Sequence, residues 1–244
     1  SGSRVSSWLN GGLFGAAGSG GAGYFGGGYT GSEVDTVDKF AFPDDSRTTL
    51  GTGLSAGCYG LAGMANSGTA GYFGGGTAGS YVDTVDKFDF SDDSRTTLGT
   101  GLSSARHVLA AMANSGTAGY FGGGTDGSNV STVDKFDFSD DSRTTLGTGL
   151  SVATRLLAAM ANSGTAGYFG GGYDSGVTDT VDKFAFSDDS RSTLGTGLSA
   201  GNYYLAAMAN SGTAGYFGGG HYGPSALDTV DKFAFSDDSR STLG

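Results

Sequence analysis

The chain is poor in several residue types on which other folds and other chemistries depend. It carries 1 Cys, Cys58, so no disulfide can form within it. It has 2 Pro, and its 49 Gly do not fall at every third position, which excludes a collagen helix. Two histidines, His107 and His221, leave little for a three-ligand zinc site or a serine triad. Basic residues number 13 against 24 acidic, a formal net charge of -11, so a phosphate backbone or an anionic bilayer is repelled over most of the surface. No apolar run nears the ~20 residues of a membrane span. We therefore expect no nucleic-acid partner, no membrane insertion, no cofactor and no metal. No signal peptide is visible, and the compartment is not readable; an extracellular or virion surface is the setting that the repeat style suggests.

What is present is aromatic and repetitive. Hydrophobic residues make up 37% of the 244 and aromatic ones 12%, enough to bury a core and too many for a flexible Gly/Ser linker. Gly-Tyr-Phe-Gly-Gly-Gly recurs with its tyrosine at 24, 72, 120, 168 and 216, a spacing of 48. The phenylalanine of Val-Asp-Lys-Phe follows at 40, 88, 136, 184 and 233, the last step being 49 because the fifth copy holds one extra residue after its glycines. Five repeats, about 5–54, 55–102, 103–150, 151–198 and 199–244, thus fill one domain, 1–244.

Each repeat breaks into four short segments separated by Gly, Ser, Asn and Asp clusters, the pattern of a β-meander. We call them strands A to D. Strand A is small and apolar, mostly Ala with one Met, and suits the crowded axis of a ring of sheets; the aromatic residues of B and C suit the wider spaces between them. The sequence predicts an all-β, five-bladed β-propeller with four antiparallel strands per blade. Five whole repeats fit a closed ring, with part of a larger ring as the alternative.

The Arg-led apolar strand, the Tyr-led strand ending in Gly-Gly, the aromatic followed by Asp and the apolar residue of strand D together resemble the kelch repeat, the type of ring at the centre of galactose oxidase. The resemblance covers all five copies. It departs at Leu50, Leu98, Leu146, Leu194 and Leu243, where kelch repeats usually have Trp. A copper-radical site of the kind built on such a ring would need two His and two Tyr to converge, and Cys58 beside Tyr59 is not enough.

Other motifs read as structural. The paired aspartates, such as Asp140-Asp141 before Arg143, suit an Asx-turn with an Asp-to-Arg pair better than a calcium loop. The lysine of every Val-Asp-Lys-Phe suits ion pairing between blades or capping of buried carbonyls, since an active site needs only one copy. The triple glycines open no helix and precede no Lys-Ser, so they end strand B at close blade contacts rather than hold phosphate.

The copies differ in two windows, the B-to-C loop and the D-to-A passage. Strand reversal places both at one end of a meander, opposite the nearly constant Asn-Ser-Gly-Thr and Ser-Asp-Asp-Ser turns. A rigid frame with one diversified face is the arrangement of a recognition module. The candidate contact residues are Trp8, Asn10, Tyr29, Glu33, Tyr59, Tyr81, Arg106, His107, Asp126, Asn129, Arg155, Tyr173, Asp174, Asn202, Tyr203, Tyr204, His221 and Tyr222. Tyr and Trp offer contact area at low ordering cost, and Asn and Arg add hydrogen bonds. The expected function is non-enzymatic binding of a protein or carbohydrate on this lectin-like face, as in an adhesin or a phage fibre. The alternative is a structural repeat protein that self-associates, or an engineered or recently amplified scaffold without a specific ligand.

Overall fold

A computed structural model describes the backbone of residues 12–16 and, with side chains, residues 21–42 and 44–243. Five four-stranded antiparallel sheets, each made by one repeat in the order A-B-C-D, form a five-bladed β-propeller. In the third blade the strands are Ala110–Asn114, Ala118–Gly122, Val133–Asp137 and Arg143–Thr145. The register places Met112 opposite Tyr120, Tyr120 opposite Lys135, and Lys135 opposite Thr144. Two-residue ribbons in the B-to-C loops, Thr77–Ala78 with Ser80–Tyr81 and His221–Tyr222 with Ser225–Ala226, are the only further strands among the described residues.

The inner strands are the A strands, Gly12–Ala16, Ala62–Asn66, Ala110–Asn114, Ala158–Asn162 and Ala206–Asn210. Successive ones stand side by side, and those of blades two to five line a central channel of about 240 Å³ with their alanines and the Leu residues ahead of them. Small side chains are what this axis accommodates. Backbone bonds ring the channel mouth: Val108 N donates to Gly60 O, Leu156 N to Val108 O, and Tyr204 N to Leu156 O.

One joint recurs between neighbouring blades. The Phe121 ring meets the backbone of the preceding blade at Gly74, where a Cβ would lie 2.7 Å from its Cζ. Met112 lies against Gly167 of the following blade in the same way. The Tyr120 hydroxyl donates to Asp189 of the next blade at 2.7 Å, Lys135 Nζ donates to the other oxygen of that carboxylate at 2.7 Å, and the Tyr120 ring stacks on Phe186 at 5.4 Å. Tyr24 and Lys39 meet Asp93, Tyr72 and Lys87 meet Asp141, and Tyr168 and Lys183 meet Asp238 in the same geometry. The lysines therefore pair between blades, as expected from their repetition. At the constant end, Gly116 N donates to Asn66 Oδ1 and Gly164 N to Asn114 Oδ1, so the invariant turns are also joints.

Two expectations need correction. The first aspartate of each pair does form the Asx-turn, as Asp140 Oδ1 accepting from Ser142 N. The arginine that follows, however, pairs with the strand C aspartate, Arg143 with Asp134 and Arg95 with Asp86, because the Asp-Asp turn points its second carboxylate at the neighbouring blade. The ring is also not closed among the described residues. Strands Ala206–Asn210 and Gly12–Ala16 do not pack side by side. Met208 is 68% exposed where Met112 is 4% exposed, Phe25 is exposed, Gly218 meets no phenylalanine, and neither Tyr216 nor Lys232 bonds Asp45. The stretch 1–8 lies outside the described residues.

Candidate functional site

The two variable windows share one end of the propeller. Bridges join Tyr59 to Thr77, His107 to Thr125, Arg155 to Tyr173, and Tyr203 to His221, each linking a D-to-A passage to a B-to-C loop. Gly28, Gly76, Gly124 and Gly172, the last glycine of each triplet, donate to Cys58, Arg106, Thr154 and Asn202 carbonyls, which ties each loop to the following passage. Gly28 has φ +124, a conformation that favours glycine, which gives the third glycine of the run its purpose.

This end carries three aromatic groups. Tyr29 meets Tyr59 edge-on at 5.5 Å. Tyr81 stacks on His107 at 4.2 Å; burial pulls the His107 pKa below its usual value, which keeps the imidazole neutral at pH 7. The largest group spans blades four and five, with Tyr203 at 5.8 Å from Tyr173, 5.3 Å from Tyr204 and 5.9 Å from His221. The Arg155 guanidinium lies 5.1 Å from the Tyr173 ring and donates to Asn129 Oδ1 at 2.9 Å. Asn129 Nδ2 in turn donates to the carbonyls of Tyr173 and Asp174. That amide is thus committed within the chain.

The fold recurs in the solved structure of YjhT. The two chains superpose with a TM-score of 0.75 over 95% of this chain and 83% of that one, at 15% sequence identity. At that identity the likeness is one of fold. No protein-family model and no curated protein sequence matches the chain.

Of the expected contact residues, Tyr29, Tyr81, Asp126, Tyr204 and Tyr222 are exposed, and Glu33, Tyr59, His107, Asn129, Arg155, Tyr173, Asp174, Tyr203 and His221 are half-buried at the same end. Glu33 Oε1 accepts from Gly79 N, joining the loops of blades one and two. Trp8 and Asn10 lie outside the described residues. Arg106 and Asn202 do not belong to the face. Arg106 is fully buried, with Nη2 3.0 Å from Asp134 Oδ2, and Asn202 is buried, its Nδ2 donating to Gly219 O. Their column, which holds Cys58, Arg106, Thr154 and Asn202, turns inward between blades. The only sequence sign of this is that none of the four is aromatic.

Proposed function

We propose that this propeller is a non-enzymatic recognition module, related in style to kelch rings, that binds a protein or a complex glycan through the end bearing the variable loops. The observation that carries this reading is the unrepeated aromatic group of Tyr173, Tyr203, Tyr204 and His221 with Arg155. Its members come from positions at which the copies differ, on a frame whose joints are the same from blade to blade. Because the blades present different residues, the reading favours one asymmetric surface over five equal pockets, as in an adhesin or a fibre tip. Rings with exposed edges and a guanidinium suit sugar faces and peptide backbones alike.

A glycan array and a pull-down from a relevant extract test it. Tyr204→Ala with Tyr222→Ala, both exposed, should weaken capture at least tenfold without a change in melting temperature. Capture unchanged by both substitutions would count against the reading. The open seam, with Met208 exposed, favours a second reading, assembly through blade edges. Concentration-dependent association abolished by Met208→Asp, and untouched by the tyrosine substitutions, would support that instead.

A further inference from the structure

Arg106 marks a slot that two other blades leave unfilled. Its side chain runs inward from the loop end, and Nη2 reaches Asp134 Oδ2 at 3.0 Å and donates to Phe121 O at 3.3 Å, while Nη1 donates to Ser103 Oγ at 3.4 Å. The repeat puts Cys58 and Thr154 at the same place in blades two and four. Both side chains stop short of where a guanidinium would sit. A pocket remains beside each: one walled by Leu54, Ser55, Cys58, Leu61, Phe73 and Asp86, the other by Leu150, Thr154, Leu157, Phe169 and Asp182. The walls correspond, 48 residues apart, to Leu102, Ser103, Leu109, Phe121 and Asp134 around Arg106.

Asp86, the counterpart of Asp134, therefore lacks the second guanidinium that Arg106 supplies in blade three. Asp86 is 4% exposed; it accepts from Ser55 N and Oγ, from Thr97, and from Arg95 at 3.4 Å. Asp134 keeps the same four partners and takes Arg106 as a fifth, so this frame accommodates a second guanidinium. A planar fork can meet the carboxylate oxygen and the neighbouring carbonyl together, which a point charge does less well. The net charge of -11 draws cations to the molecule. The blade-two slot is the roomier, since Ala56 stands where the other has Val152.

We infer that the slot beside Cys58 and Asp86 binds an alkylguanidinium, the tip of an arginine side chain that a protein partner inserts from the loop end. The inference deepens the recognition reading and rests on it for the source of that arginine, though not for the chemistry of the slot.

Cys58, the one cysteine, lies in the slot wall and reports on it. In the full chain, methylguanidinium should slow alkylation of Cys58 by iodoacetamide in a saturable way, by about tenfold at ten times its dissociation constant. Neutral methylurea should not. Methylguanidinium at low concentration should also raise the melting temperature of the unsubstituted chain and fail to do so in Cys58→Arg, where the chain fills its own slot as Arg106 does. Asp86→Asn should lose the protection; if that variant does not fold, the Cys58→Arg comparison decides. Equal protection by methylurea, no protection, or the same thermal shift in Cys58→Arg would each overturn the inference. Protection without any loop-dependent partner would uphold the slot and remove the recognition reading. A captured protein lost with Tyr204→Ala and unaffected by Cys58→Arg would do the reverse.

Discussion

At the residue scale, the second aspartate of four of the five Asp-Asp pairs, Asp93, Asp141, Asp189 and Asp238, ties its blade to the preceding one. Asp141 has φ +59 and receives the Tyr72 hydroxyl and Lys87 Nζ, both at 2.7 Å. Asp141→Ala removes two charge-assisted bonds and should cost about 2–3 kcal/mol of unfolding free energy in a denaturant titration. The tyrosines give these joints a pH dependence. Burial first, then the hydrogen bond to Asp93, pushes the Tyr24 hydroxyl from 10.0 up to about 12. Tyr72, Tyr120 and Tyr168 move the same way for the same causes. A pKa raised by folding contributes stability that is complete below pH 10 and is lost as pH rises to about 12. Melting temperature should therefore fall steeply over that range, and Tyr72→Phe with Tyr120→Phe should flatten the fall. The repetition of Lys was visible in the sequence and pointed to ion pairing between blades or to carbonyl capping; the first of these is what the joint shows. Which aspartate each base would choose was not visible, because that depends on a left-handed turn residue that no spacing encodes.

At the element scale, strand B is the packing hub, and its glycines are where the next blade enters. A Cβ at Gly122 would lie 2.6 Å from Phe169 Cζ, and Phe169 is buried. Gly122→Ala should cost about 1–3 kcal/mol, the usual range for overpacking. Gly218, on the seam, meets no ring of another blade and has Val230 of its own blade as its nearest neighbour at 3.3 Å, so Gly218→Ala should stay within about 0.5 kcal/mol. Strand identities, their order and the sharing of one end by the variable loops were all legible, since period, glycine punctuation and antiparallel reversal determine them together. The inward turn of the Cys58, Arg106, Thr154 and Asn202 column was not. Variation alone does not tell a surface position from a buried one whose neighbours tolerate different sizes.

At the scale of the whole molecule, joints repeat from blade to blade and the loop surface does not. The seam is the place where a joint is missing, and methionine truncation tests it. Met112→Ala should cost about 2–5 kcal/mol as a buried deletion, whereas Met208→Ala should change stability by less than about 0.5 kcal/mol. The count of repeats suggested closure, with part of a larger ring as the alternative; the inner strands of the fifth and first blades do not pack together, and the seam between them is open. The most direct measurement is partner capture by a variant in which the variable windows of the other four repeats are replaced with those of the third. An unchanged β-sheet spectrum and melting temperature are expected, together with loss of the partner or glycan bound by the parent chain. Capture at the parent's affinity by that uniform variant would contradict the recognition reading.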